Sequence, residues 1–445
     1  MTSAVETFAD YVHKTAWADL GPAVQREAVR AMLNFVGVAI GGAQEPATEA
    51  ALKGCQALAS GEVPLLGRAE RLDAQGAAIV NCVCSSALTF DDTHLTTITH
   101  PTGPVAAAAL AYAHGRAISW QDFLVALALG IEIECRLACA LAGEHVKASR
   151  GWYVTGLAGG VGAAAAIGKL MNLPTAQLGW ALGLGAMQAA GTRASHASLA
   201  IALVPGFAAR NGVAAALLAQ AGVTCGVGAI DGRNGLLQVI APETDAGVLT
   251  RGLGSEFELL NNSYKPYPCG IVIHPSIDAC FKLRAGGVTP DAIERIELDV
   301  HADTLTLCWR KLPQTELDAQ VSLYHWVAAA LVFGAAGVEQ GRIAAINNPE
   351  VRKLQDIAEA RADAAIARDQ ARVRIFLHGG AIRESFIEHA IGSTARPMTD
   401  QQLADKFTVL CTPTFGAART LRLLDMCRTP RLDQPVSDLF TLATP

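Results

Sequence analysis

Charge is scarce in this chain: Asp, Glu, Lys and Arg make up 17% of its 445 residues, against 51% hydrophobic residues. That balance excludes a disordered chain and supplies a large core, with length for two or three domains. Basic excess is missing too. The formal net charge is −6, and nucleic-acid binders concentrate positive charge, so no nucleic-acid partner is expected; a local basic pocket for a small carboxylate stays open. The N-terminus, MTSAVETFADYVHKTAW, carries acid early and lacks an unbroken apolar core, unlike a secretory signal. The Ala-rich runs 104–112 and 157–167 are short or broken by Gly, below the ~20 apolar residues of a membrane span. These absences predict a soluble cytoplasmic protein. The eleven cysteines are odd in number and irregularly spaced. Cys82 and Cys84 lie two apart, which is not a zinc-knuckle spacing, so reduced thiols are expected. No G-x-S-x-G element, P-loop, paired C-x-x-C or internal repeat is present. Gly159-Gly160-Val161-Gly162 lacks the preceding strand and spacing of a dinucleotide fingerprint.

What is present is helical patterning. Apolar residues recur at three-to-four spacing over 7–12 and 23–40, with Gly41-Gly42 as a stop, and helices are predicted over 77–88, 104–114, 120–139, 155–171, 175–190 and 207–221. Their Ala- and Gly-crowded faces let helix axes approach closely. After about 265 the pattern changes. Residues 292–301 and 371–378 alternate as half-buried strands, Gly379-Gly380 supplies a hairpin turn, and 381–387 follows. Helices are expected at 277–284, 324–333, 343–346 and 348–357, with 399–407 helical again. The predicted fold is two-domain: a large all-α helical bundle over 1–265, to which 400–445 returns, and a smaller α+β domain over 266–399.

Three constellations carry ionisable groups in Pro- and Gly-punctuated loops, where chemistry usually sits. Asp91-Asp92-Thr93-His94, followed by His100-Pro101-Thr102-Gly103, reads as a helix cap, a metal site or an active-site wall. Two histidines six apart do not match helical metal spacing, so no metal is expected. Gly103-Pro104 opens the next helix, whose positive end suits an anion. Tyr153, within Gly151-Trp152-Tyr153-Val154-Thr155-Gly156, is either core or a general acid or base whose pKa a neighbouring cation would lower. Lys265, with Tyr267, Cys269 and His274, is either a surface lysine or a desolvated base at the predicted domain junction. Cys269 lacks the base–orienter pair of a nucleophile.

DDTH…HPTG, the GW-Y-TG element, Phe207-Ala208-Ala209-Arg210-Asn211-Gly212 and YKPYPCGIVIHPSIDA resemble the MmgE/PrpD family, in order over most of the chain. That family includes 2-methylcitrate dehydratases, cis-aconitate decarboxylases and iminodisuccinate epimerases. The resemblance implies a helical domain plus an α+β domain with a cleft between them, a homodimer, and no cofactor. Its functional positions match Asp91, Asp92, Thr93, His100 and Lys265. Decarboxylase-like members carry a histidine where this chain has Tyr153, and a K-P-L-H-x-G element where this chain reads Ile201-Ala202-Leu203-Val204-Pro205-Gly206. Tyrosine with lysine resembles the epimerase branch.

The expectation drawn from this is an isomerase: an epimerase of an iminodisuccinate-like amino-dicarboxylate, moving the α-proton between Lys265 and Tyr153 on opposite faces of one carbon, with the enediolate-like dianion stabilised by preorganised donors. His94 and His100 would bind and polarise a carboxylate, and Asp91 or Asp92 would orient a histidine. Thr93, Arg193, His196, Tyr267 and His274 complete the expected substrate contacts. The alternative is a lyase, dehydrating a 2-methylcitrate-like acid or decarboxylating a cis-aconitate-like acid. A third reading is a binding protein that has lost its chemistry at Ile201 and Val204.

Overall fold

The computed structural model describes residues 3–142 and 151–445. The chain divides into two compact units: Met1–Ala87, Asp91–Asn262 and Asp400–Pro445 form the first, Leu88–Phe90 and Ser263–Thr399 the second.

The first unit is helical. Its principal helices are α1 (Ala4–Lys14), α2 (Pro22–Gly41), α3 (Pro46–Gln56), α4 (Ala74–Ser86), α5 (Thr102–Ala113), α6 (Trp120–Ala142), α7 (Val154–Leu170), α8 (Thr175–Ala186) and α9 (Ala200–Gln220). Local chemistry sets several starts. Ser3 and Glu6 form a reciprocal capping box at α1, Pro22 occupies the first turn of α2, and the Asp73 carboxylate accepts from Gln75 and Gly76 at α4.

α7 is the packing centre, against α5, α6, α8 and α9. Glycine makes this possible: a Cβ on Gly130 of α6 would lie 2.7 Å from the Gly162 carbonyl of α7, and one on Gly162 would lie 2.6 Å from that of Gly130. Neither position tolerates alanine without separating the helices.

α9 begins seven residues earlier than its sequence pattern predicts and carries Pro205 in its interior. Burial of Ala202, Val204, Pro205 and Gly206 outweighs the local cost of the proline. α9 is also the one helix among the described residues long and apolar enough to cross a membrane, with 56% of that window buried against the rest of the unit. The helix Asp400–Arg428 packs on α2 and runs well past the expected end at 407, with a kink at Gly416 (φ 71°).

The second unit carries a four-stranded sheet in the order Ala358–Ala362, Ile293–Val300, Ala371–Leu377, Ile382–Ile387. The first pair is parallel, the others antiparallel. Gly379 and Gly380 (φ 94° and 85°) make the turn before the last strand. Ala358–Ala362 (AEARA) is the strand that sequence patterning misses, because it is mostly exposed and alanine has little strand preference. The helices His274–Ala285, Leu323–Phe333 and Pro349–Asp356 accompany the sheet.

Candidate active site

In the first unit, the short strand Asp92–His94 is fully buried. Asp92 Oδ2 accepts from Thr102 Oγ1 at 2.5 Å, Asn262 Nδ2 at 2.5 Å and the Thr102 amide at 3.3 Å. The protein's own Asp92 carboxylate thus sits at the start of α5, the helix end that the loop suggested for an anion. Burial pushes its pKa up, and the hydrogen bonds from Thr102 and Asn262 oppose the rise.

His100 is oriented by the same strand. Its Nδ1 lies 2.8 Å from the Asp92 carbonyl, 3.1 Å from Thr93 Oγ1 and 3.6 Å from Asp91 Oδ2. Nδ1–H donates to the carbonyl, so in the neutral ring Nε2 is the unprotonated nitrogen. The His100 amide donates to Thr155 Oγ1 (3.0 Å), which ties the loop to the first turn of α7. Orientation of His100 thus comes from the main chain of Asp92 and the side chain of Thr93, with the Asp91 carboxylate nearby.

Tyr153 lies at the mouth of α7. Its amide donates to the Gly191 carbonyl, and its own carbonyl accepts from Gly156. A side chain on Gly156 would meet the Ala190 carbonyl at 2.1 Å, so this turn requires glycine. The Tyr153 ring stands between two histidines, 5.9 Å from His100 and 6.0 Å from His196 by ring centroids. Arg193 Nε donates to the Trp152 carbonyl (3.1 Å), placing the guanidinium beside this turn. Asp91, Asp92, Thr93, His100, Tyr153, Arg193 and His196 are thereby gathered in one unit.

Two sequence expectations change here. The cation beside Tyr153 does not lower its pKa on balance: burial and the Asp91 carboxylate push the phenol up, against a smaller opposing effect of Arg193. The phenol is thereby held towards its neutral form. His94 is fully buried, with Nδ1 2.9 Å from Thr97 Oγ1 and Nε2 3.1 Å from Glu258 Oε2. Both nitrogens are engaged within the protein.

Val204, where the resemblance expects a histidine, packs as apolar filler. A Cβ on Gly156 or Gly191 would come within 2.6 or 2.5 Å of its Cγ1.

In the second unit, Lys265 and His274 are buried. Tyr267 donates its hydroxyl to Asp278 Oδ1 (2.6 Å), and its ring meets His274 edge-on at 5.2 Å. Asp278 Oδ2 accepts from the Ile391 amide (2.8 Å). Gly392 (φ 88°) follows, and any Cβ there would strike the Tyr264 carbonyl at 2.3 Å. Burial pushes the Cys269 thiol up, as for an inert core cysteine. Asp278, Asn262 and Thr102 are partners that sequence reasoning missed. Asp278 had a signal, four residues after His274 within the same motif.

Residues 6–248 match the MmgE/PrpD N-terminal domain and residues 267–429 the MmgE/PrpD C-terminal domain. A cis-aconitate decarboxylase-like protein from Aspergillus oryzae is 26% identical over 96% of this chain and 94% of its own length. Cis-aconitate decarboxylases from Aspergillus terreus (26% identity, 92% of this chain, 89% of the relative) and Mus musculus (27%, 80% and 75%) are similar too. These relatives bear names from the lyase side of the family, not the epimerase side. With the N-terminal model matched across the carboxylate–histidine loop and the C-terminal model following it in order from residue 267, the chain belongs to the MmgE/PrpD family.

Proposed function

We propose that this protein is a lyase that decarboxylates a small unsaturated polycarboxylate of the cis-aconitate type. One observation carries the choice of lyase over epimerase: relatives matched over 80–96% of this chain are named cis-aconitate decarboxylases or decarboxylase-like, and Tyr153, flanked by two histidine rings and Arg193, is placed to serve such a reaction as proton donor. A decarboxylase needs only a donor.

Loss of carbon dioxide breaks the carbon–carboxylate bond and leaves its electron pair on an allylic carbon, spread into a remaining carboxylate. Tyr153 donates its proton to carbon, and solvent restores the phenol. The carbanion is far more basic than any phenolate, so a raised phenol pKa does not obstruct this transfer. Arg193 binds a substrate carboxylate and stabilises the developing charge. His100, fixed through Nδ1, presents Nε2 to a second carboxylate or to the proton relay. Lys265, buried in the second unit, is the further proposed proton carrier.

Epimerisation keeps one supporting observation. Val204 and Ile201 stand where the family's decarboxylase-like pattern places a histidine and a lysine, and Val204 is packed as core. Incubation in D₂O with cis-aconitate, and separately with single enantiomers of iminodisuccinate, followed by NMR, separates the readings. Carbon dioxide release with one deuteron per product supports the lyase. Deuterium exchange with stereochemical scrambling, and no carbon dioxide from cis-aconitate, overturns it.

A further inference from the structure

A second cluster in the first unit is not used by that chemistry. One ring nitrogen of His94, Cys139 Sγ and a Glu258 carboxylate oxygen all lie within 4.8 Å of one another, and His94 Nε2 is 3.1 Å from Glu258 Oε2. They come from three separate pieces of chain: the strand Asp92–His94, α6, and the short helix Glu258–Asn261.

Each piece is held before any ligand arrives. Thr97 Oγ1 lies 2.9 Å from both Thr99 Oγ1 and His94 Nδ1, and the His94 amide donates to the Thr99 carbonyl (2.8 Å). This pins the imidazole with Nε2 towards Glu258, as the second nitrogen of a buried metal-ligating histidine is held. The segment bearing Glu258 is clamped to the helix bearing Cys139. Arg136 donates to the Arg251 and Glu256 carbonyls (both 2.6 Å), and Glu132 accepts from the Leu259 amide (3.1 Å). Asn261 Nδ2 fixes the Glu258 carboxylate at 2.9 Å.

We propose that His94, Cys139 and Glu258 form a binding site for one borderline divalent cation, Zn²⁺ foremost. Imidazole, thiolate and carboxylate together suit zinc and disfavour Mg²⁺ or Ca²⁺, which take oxygen ligands. The 3.1 Å between Nε2 and the carboxylate falls just short of the ~3.3 Å that separates two ligands about 2.0–2.1 Å from a tetrahedral centre. Three protein ligands leave the fourth position to water. The cation joins α6 to the strand that carries Asp92 and Thr93, the residues that orient His100, so occupancy stiffens the candidate active site without entering its reaction. The competing arrangement is an imidazolium–carboxylate pair in which Cys139 is a bystander.

Co²⁺, a spectroscopic stand-in for Zn²⁺, separates the two. Titration of metal-stripped protein is expected to give one equivalent of tetrahedral Co²⁺ with a thiolate charge-transfer band in the near ultraviolet, displaced by Zn²⁺. Cys139→Ser should abolish that band, and Glu258→Gln should weaken binding at least tenfold. A band that survives in Cys139→Ser belongs to another of the eleven cysteines and overturns the proposal, as does the absence of any band. Alkylation of Cys139 in the unmodified protein, read by peptide mass spectrometry, gives a check without mutation: Zn²⁺ should slow it at least tenfold, and an unchanged rate again refutes the site.

Discussion

Each unit holds a tyrosine against a histidine, Tyr153 beside His100 and Tyr267 beside His274. In both, burial and a nearby aspartate push the phenol pKa up. The difference lies in how each hydroxyl is committed. Tyr267 donates to Asp278, whose other oxygen holds the Ile391 amide, so its proton serves a local scaffold. Tyr153 is anchored through its main chain instead, and its ring lies between His100 and His196 beside Arg193. A Tyr–His pair in the sequence therefore does not mark chemistry by itself; the partner of the hydroxyl decides.

Removing each hydroxyl tests that contrast most sharply. Tyr153→Phe should cut turnover by about 10²-fold or more, the usual scale for a lost general acid, with an unchanged melting temperature. Tyr267→Phe should do the reverse, costing roughly 1–3 kcal/mol in denaturant unfolding because buried Asp278 loses its donor, with turnover close to normal per folded molecule. Equal loss of turnover in both variants would erase the distinction. Arg193→Gln should raise KM about tenfold, one charge-assisted contact to a carboxylate, with a smaller change in kcat. An unchanged KM would remove Arg193 from substrate binding.

A pH-dependent effect concerns a buried carboxyl that neither pair uses. Glu134 on α6 is fully buried, neither oxygen has a hydrogen-bond partner among the described residues, and burial with the nearby Asp92 pushes its pKa well up. The folded state keeps this proton while the unfolded chain releases it above a pKa of about 4.3. Stability conferred by the protonated form is thus complete below that pH and falls above it by about 1.4 kcal/mol per pH unit while the folded group stays neutral. Glu134→Gln should flatten this slope. Its advantage over the unmodified protein should appear at pH 7 and vanish near pH 4; parallel stability curves would show that Glu134 is ionised when folded.

Patterning in the chain was enough for the two-domain class, the long helices of the first unit and three strands of the second, because apolar periodicity reports which face is buried. It failed where tertiary burial overrode local preference, as at Pro205 inside α9 and in the strand Ala358–Ala362. The loop Asp91–His100 and Tyr153 could be singled out from residue type and punctuation, but their partners could not. Glu258 is 164 positions from the His94 it bonds, and Asn262 is 170 from Asp92.

The sequence alone determined which residues are able to carry protons and charge here, and the family to which their order belongs. Only the tertiary structure decided what each does with that capacity. Asp92 accepts from the first residue of α5, His94 turns inward to Glu258, and burial beside Asp91 holds the Tyr153 phenol towards its neutral form. The reason is physical. A side chain's intrinsic chemistry is local, whereas its protonation and orientation depend on desolvation and on neighbours that the fold brings from far along the chain.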